Sequence, residues 1–390
     1  MPELDESAQP VTPGPARSVG GSHAGRDKTY NRIKLRVTIA DIILNFLLLA
    51  VFAFSGISPL IVSFLEKSFA SPYTVFLLFM AAAGIVFSCA GFPLDFYSGY
   101  IVEHRYALST QTLARWFLDR LKSSLVGISI GVPVALAFYH FLLLTGDNWW
   151  LYFGAFLVFV SVVLARVAPV LIFPLFYKFT ELGEGEIKDV ITRITSMQGL
   201  AFRGIYTFNM SKKTRKANAG FTGIGKTRRI ILSDTLVENF SPREIAVIFA
   251  HEMGHYKKRH ILKNLVLGAA IIFLSLRLCG YVYSATISAM GYGRIHDVAA
   301  LPVLLLYLSL FSLAIMPMTN AISRRYEVQA DTFALETTGD RESFITSMEK
   351  LAEQNLADRN PHPVEEFVFY SHPSIGRRVA FARGYGVTDK

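Results

Sequence analysis

One stretch of the chain decides its fold: residues 250–277 read AHEMGHYKKRHILKNLVLGAAIIFLSLR. Its first part places two histidines, His251 and His255, four residues apart with Glu252 beside the first. Its last part is an apolar run that begins at Ile261. A run of about 20 apolar residues is long enough to cross a bilayer as a helix. The stretch therefore joins a motif with metal-ligand spacing to a predicted membrane span.

The composition of the whole chain agrees with a membrane protein. Apolar residues make up 52% of the 390 residues and charged residues only 18%, whereas soluble proteins average about 25% charged residues. Two cysteines exclude a disulfide scaffold, and 31 Phe and 17 Tyr exclude a largely disordered chain. Residues 1–30 lack the hydrophobic block of a secretory signal and predict a disordered polar tail.

Long apolar runs recur and predict a mainly α-helical, polytopic protein with about six transmembrane helices. The predicted spans cover residues 37–57, 73–93, 124–144, 149–172, 261–285 and 298–318. Four spans then fall in residues 31–178, with a cytosolic loop at 94–123, and two fall in 261–318. Residues 179–260 and 319–390 are predicted to form one polar domain outside the bilayer.

The basic residues predict the orientation of the spans. Of the 39 Lys and Arg residues, 35 lie on alternate loops, and such loops face the cytosol. Both termini and the polar domain are therefore predicted on the cytosolic side of a bacterial inner membrane or of the endoplasmic reticulum. The net charge of +9 then reflects topology, and no nucleic-acid partner is expected. Arg166 and Arg277 lie within spans, so we expect them to face protein interior or a water-filled cavity.

The spacing of the two histidines predicts a metal site. Positions i and i+4 share one face of a helix, so His251 and His255 can bind one Zn²⁺ while Glu252 addresses a water. Ser241 and Glu244 predict a capping box at the start of that helix. The basic residues 257–259 place its end at the cytosolic edge of the next span.

A third ligand is predicted after the sixth span. Glu327 and Asp331 lie four residues apart, and the two spans that separate Glu327 from His255 return the chain to the same side of the membrane. We expect one Zn²⁺ per chain, bound by His251, His255 and Glu327. Asp331 is predicted to orient a ligating imidazole, with Arg324 beside the ligands.

Further motifs, together with these, carry a resemblance to a known family. They are residues 101–103 (IVE), 168–169 (AP), 174–176 (PLF), 178–180 (KFT), 218–223 (NAGFTG), 230–236 (IILSDTL) and 370–373 (YSHP), followed by Arg378. The chain resembles the integral-membrane zinc metallopeptidases of the CAAX prenyl protease type I family, relatives of the heat-shock membrane protease HtpX. The resemblance extends from about residue 31 onward.

The resemblance implies a fold and further site residues. The helices would enclose a water-filled chamber, capped by a gluzincin-like zinc peptidase domain with a small β-hairpin or sheet. His372 would act in catalysis by donating to the developing oxyanion, and Asn218, Ala219, Gly220 and Arg378 would bind substrate. Two departures stand out: eukaryotic members have seven spans where six are counted here, and Gly220 occupies a position that is usually aromatic.

Residues 220–227, GFTGIGKT, also match the phosphate-binding pattern GxxxxGK[ST]. A P-loop must open a helix, whereas residues 228–232 are typical of a strand. The glycines therefore predict a turn between two strands, and no nucleotide partner is expected. An edge strand here could instead bind an extended peptide by β-augmentation.

These patterns predict an integral-membrane zinc metalloendopeptidase that acts on membrane-associated proteins. The substrate is a peptide or protein, either prenylated or membrane-inserted; a quality-control protease for misfolded or stalled membrane proteins is the alternative. A site-2-type protease is disfavoured because its motif lies within a span. A non-catalytic, zinc-stabilised membrane chaperone or channel is the alternative from another class.

Overall fold

The computed structural model describes residues 25–199, 204–222 and 229–386. Its helices are α1 (Arg26–Phe54), α2 (Ile57–Glu66), α3 (Pro72–Phe96), α4 (Glu103–Arg105), α5 (Leu113–Thr145), α6 (Trp149–Val167), α7 (Phe173–Phe176), α8 (Glu186–Met197), α9 (Asp234–Asn239), α10 (Pro242–Lys257), α11 (His260–Ala289), α12 (Leu301–Thr338), α13 (Arg341–Asn355), α14 (Pro363–Phe369) and α15 (Ile375–Gly384). Its strands are β1 (Phe179–Glu181), β2 (Ile205–Phe208), β3 (Ala219–Thr222) and β4 (Arg229–Ser233). Residues 1–24 of the predicted tail, and 223–227 of the P-loop-like pattern, lie outside the described residues.

Five continuous helical segments in the described part are long and apolar enough to cross a membrane. They are Arg26–Phe54, Pro72–Arg105, Leu113–Phe176, His260–Ala289 and Val298–Thr338. The third holds two helices, α5 and α6, because the short turn Gly146–Asn148 separates them. Each of the six predicted spans therefore falls on one of the five segments, although the first, residues 37–57, extends three residues past Phe54. Helix α2 is apolar but has only 10 residues, so at about 1.5 Å per residue it is too short to cross.

Aromatic residues and glycines pack the membrane helices together. The rings of Phe76 on α3 and Tyr139 on α5 stack with centroids 4.4 Å apart. A Cβ at Gly280 would lie 3.1 Å from the Trp149 ring, so glycine lets α11 pack closely on α6. On the same helix, the Arg277 guanidinium lies 5.7 Å from the centroid of the Trp150 ring. The aromatic face offers this intramembrane cation a favourable contact.

The polar domain contains a four-stranded sheet with the order β1-β2-β4-β3. β2 and β4 are parallel, while the outer strands are antiparallel to their neighbours. In the β3–β4 hairpin, Ala219 lies opposite Leu232 and Thr222 opposite Arg229. The P-loop-like pattern therefore continues into a strand, as predicted, and β3 is an edge strand of the described sheet.

The metal motif lies on α10, which packs against α12. The predicted capping box is present: the Ser241 side chain accepts from the backbone N–H of Glu244, whose carboxylate accepts from the backbone N–H of Ser241. Closer to the motif, a Cβ at Gly254 would lie 2.9 Å from the Cα of Ala330. Only glycine therefore permits the two backbones to approach this closely. The contact brings the histidines of α10 to the carboxylates of α12.

Helix α10 ends two residues before the membrane helix α11 begins. Arg259 lies in the left-handed region at φ 57°, which reverses the chain and starts α11 at His260. On the other face of α10, Ile245, Phe249 and Met253 are fully buried and pack in one core with strands β2 and β4 and helix α8. The sheet and the membrane helix thus hold α10 from both sides.

Candidate metal centre

Three predicted ligands converge on one point between α10 and α12. Nε2 of His251 lies 3.2 Å from Nε2 of His255. The two carboxylate oxygens of Glu327 lie 3.3 Å from His251 Nε2 and 3.2 Å from His255 Nε2. Glu327 is buried. This carboxylate thus faces the two imidazole nitrogens.

These separations fit a tetrahedral cation. Zn²⁺ binds histidine nitrogen and carboxylate oxygen at about 2.0–2.2 Å, so neighbouring ligand atoms of a tetrahedron lie roughly 3.3–3.5 Å apart. The observed distances of 3.2 and 3.3 Å are close to that value. A bound cation would also neutralise the buried carboxylate of Glu327. Three protein ligands leave the fourth position open, as in catalytic rather than structural zinc sites.

Asp331 and Arg378 support the first histidine. Asp331 Oδ1 lies 2.7 Å from His251 Nδ1, which fixes Nδ1 as the protonated nitrogen and turns Nε2 toward Glu327. Arg378 donates to both oxygens of Asp331, over 2.9 and 2.5 Å, and both side chains are buried. The predicted role of Asp331 thus matches its contact. Arg378, predicted to bind substrate, borders the site but has its guanidinium engaged by Asp331.

The electrostatics of the site favour positive charge at His251. Burial and the charge of Arg378 oppose protonation of His251, but hydrogen bonds with Asp331 and Glu327 outweigh them and raise its pKa to about 9. A group of carboxylates that stabilises an imidazolium would equally stabilise a metal cation. Burial raises the pKa of the Glu252 carboxyl above its usual range, which suits a residue that must accept and then return a proton.

A cavity of about 330 Å³ opens onto these groups. Its lining includes Glu252, Glu327, His372, Asn218 and Ala219. The Asn218 side chain is exposed and makes no hydrogen bond to the described residues, while its backbone N–H donates to the Ser233 hydroxyl over 3.0 Å. Asn218 and Ala219 therefore border the site as predicted, whereas Gly220 lies farther along β3, outside this lining.

The segment after α14 brings His372 to the ligands. His372 is exposed, and its Nδ1 lies 2.8 Å from Oε2 of Glu327. Arg324 was predicted beside the ligands. In the structure its Nη1 instead donates to the carbonyls of Glu366 and Tyr370, over 3.0 and 2.6 Å. Arg324 therefore ties the segment that carries His372 to α12.

His260 lies next to the ligands although it is not among the predicted site residues. It is buried, and its Nδ1 lies 3.0 Å from Nδ1 of His255. Its spacing of five residues from His255 is the signal in the sequence. Helical periodicity does not relate the two residues, because α10 ends at Lys257 and α11 begins at His260.

Family models match both parts of the chain. "Peptidase family M48" covers residues 181–385, and "CAAX prenyl protease N-terminal, five membrane helices" covers residues 14–178. The first model alone covers more than half of the chain. The chain belongs to peptidase family M48. In the described part of residues 14–178, five helices have ten or more residues: α1, α2, α3, α5 and α6. The sequence predicted four spans in this part. The difference is α2, whose 10 residues are too few for a predicted span.

Named relatives agree with M48 membership. "Uncharacterized metalloprotease YhfN" of Bacillus subtilis is 30% identical over 97% of this chain and 90% of its own. "CAAX prenyl protease 1" of Saccharomyces cerevisiae is 28% identical over 78% and 71%, and the Homo sapiens homologue is 28% identical over 78% and 72%. The structure of S. mikatae Ste24p matches with a TM-score of 0.81 and 27% identity, over 93% of this chain and 89% of that one.

Membership in M48 confirms the predicted mainly α-helical membrane fold with a small sheet and the predicted function. The protein is an integral-membrane metalloprotease. A peptidase of this family requires a metal, and the chain has a group of His251, His255 and Glu327 that could hold one. The comparisons give no support to a quality-control role or to a chaperone or channel without turnover.

Proposed function

We propose that this metalloprotease uses one Zn²⁺, held by His251, His255 and Glu327, to hydrolyse peptide bonds of proteins at the cytosolic face of the membrane. The observation that carries the proposal is the convergence of three side chains: the Nε2 atoms of His251 and His255 lie 3.2 Å apart, and each lies 3.2–3.3 Å from an oxygen of the Glu327 carboxylate. An open fourth position and the adjacent Glu252 distinguish such a site from a closed structural one.

The zinc, when bound, supplies a Lewis acid that polarises the scissile carbonyl and acidifies a water. Glu252 accepts the proton of the attacking water and returns it to the leaving amine. Its raised pKa, which results from burial, favours that exchange. His372, next to the Glu327 carboxylate at the cavity, is suited to donate a hydrogen bond to the oxygen on which charge develops.

The edge strand β3 offers a way to bind substrate. Among the described residues, Ala219–Thr222 pairs with β4 on one side only, so its other edge can pair with an extended peptide. Asn218 and Ala219 border the same cavity as Glu252, so a peptide paired there would pass the metal. The exposed Asn218 amide would contact the peptide, with Gly220 leaving room beside the strand.

The location of the basic residues supports a cytosolic site with both termini on that side. The substrates would therefore be proteins that reach this surface through a lipid anchor or a membrane span. Relatives named CAAX prenyl protease 1 favour prenylated proteins as the first class to test. Misfolded or stalled membrane proteins form the competing class.

Glu252→Gln tests the proposal because it keeps the shape of the side chain but removes the base. Detergent-purified variant should bind Zn²⁺ as the unaltered protein does and lose most peptide cleavage. Glu342→Gln, at an exposed position of α13, is the matched control and should cleave normally. Unimpaired cleavage by Glu252→Gln would refute the assignment. Proteins that accumulate with this variant in cells, prenylated or misfolded, identify the substrate class.

A further inference from the structure

His260 lies at the junction of three helices beneath the metal motif. It is the first residue of α11, and only 2% of its surface is exposed. Its ring stacks on Tyr326 of α12, with centroids 4.3 Å apart and an interplanar angle of 12°. The stack holds the plane of the ring. Within that plane one nitrogen faces His255 of α10 and the other faces Gln329 of α12.

The partners of the two nitrogens determine where the protons lie. Oε1 of Gln329 lies 3.0 Å from His260 Nε2 and can only accept, so Nε2 carries the proton of the neutral ring. Nδ1 of His260 is then an acceptor, and it lies 3.0 Å from Nδ1 of His255. His255 must therefore donate from Nδ1, which leaves the lone pair on its Nε2. That nitrogen is the one that faces His251 and Glu327.

The opposite arrangement would disable the site. If the Gln329 amide donated to His260 Nε2, the protons would shift along the chain and Nε2 of His255 would carry hydrogen. A protonated Nε2 cannot be a ligand. The arrangement of Gln329, His260 and His255 is thus compatible with metal binding in one direction only.

We propose that His260 is a positioning residue that sets the tautomer and the orientation of His255 for metal binding, with Gln329 setting His260 in turn. The two ligating histidines then depend on different supports. His251 is oriented by the anionic Asp331 over 2.7 Å, whereas His255 is oriented by a neutral imidazole. The proposal rests on the proposed ligation by His255.

Three variants test the proposal through metal affinity. His260→Phe keeps a ring to stack on Tyr326 but removes the acceptor, and we expect Zn²⁺ affinity to fall about 10–100-fold in competition with a chromophoric chelator. His260→Asn restores an acceptor oxygen near the position of Nδ1 and should bind within about threefold of the unaltered protein. Gln329→Leu leaves the His260 ring in place but frees its tautomer, and should give a smaller loss than His260→Phe.

A second readout and a control complete the test. The Co²⁺-substituted protein should show an altered d–d spectrum in His260→Phe and the unaltered spectrum in His260→Asn. His296→Phe, in the connection that follows the 30-residue α11, should change neither measurement. Equal Zn²⁺ affinity in His260→Phe and the unaltered protein would overturn the proposal. So would equal losses in His260→Phe and His260→Asn. Should His260→Phe not fold, unchanged affinity in Gln329→Leu would overturn it. Failure of the unaltered protein to bind one Zn²⁺ would instead refute the ligand set.

Discussion

Asp331→Asn removes one negative charge from the buried group behind the metal centre and keeps the size of the side chain. Asp331 is 1% exposed and accepts both hydrogen bonds of Arg378, which is 9% exposed. The variant would leave the buried guanidinium without the carboxylate that it pairs with. Removing one partner of a buried ion pair costs about 3–5 kcal/mol in the free energy of unfolding. Losing the carboxylate behind His251 should also weaken metal binding about 10–100-fold.

Denaturant unfolding in detergent, followed by near-ultraviolet circular dichroism, measures the first effect, and chelator competition measures the second. Asp331→Asn combined with Arg378→Met should be more stable than Asp331→Asn alone, because no unpaired charge remains. Metal affinity should stay low in the double variant, since His251 still lacks its carboxylate. An unchanged unfolding midpoint in Asp331→Asn, or no recovery in the double variant, would refute the reasoning.

Two further predictions concern how α10 is held. Gly254→Ala would place a methyl group 2.9 Å from the Cα of Ala330 and 3.1 Å from the Cβ of Phe333, so we expect about 1–3 kcal/mol of destabilisation and weaker metal binding, as measured by unfolding and by chelator competition. Burial raises the pKa of the Glu244 carboxyl, but hydrogen bonds from Lys350 and from Ser241 at the helix start outweigh burial and lower this pKa below its usual 4.5. The ionised carboxylate therefore stabilises the folded protein above about pH 4.5, and this contribution is lost as the pH falls through the lowered pKa. Glu244→Gln should lower the free energy of unfolding by about 1 kcal/mol at neutral pH and should flatten the acidic part of the pH dependence of stability. An unchanged pH dependence would contradict this role of Glu244.

The sequence was sufficient for features whose signals are local. Helical spacing predicted that His251 and His255 share a face, and apolar length predicted the spans. Counting spans placed Glu327 on the same side as the histidines, although 71 residues of sequence separate it from His255. The strand after the P-loop-like pattern was predictable because residues 230–232 are Ile, Ile and Leu, a short aliphatic run between the polar Arg229 and Ser233.

Tertiary contacts between distant segments were not predictable. Arg324 carries no sequence signal that it donates to carbonyls near the end of α14, and Arg378 none that it pairs with Asp331. His260 follows a break in the helix at Arg259, so helical periodicity could not relate it to His255. Such contacts depend on how α10, α11 and α12 cross, which spacing along one helix does not determine.

Anomalous diffraction at the zinc edge from crystals of the Glu252→Gln variant tests the central claim most directly. The account predicts one peak per chain, about 2.0–2.2 Å from Nε2 of His251, Nε2 of His255 and a carboxylate oxygen of Glu327. It also predicts Nδ1 of His255 within hydrogen-bond distance of His260. A peak with other ligands, or no peak from protein that cleaves peptides before substitution, would contradict it.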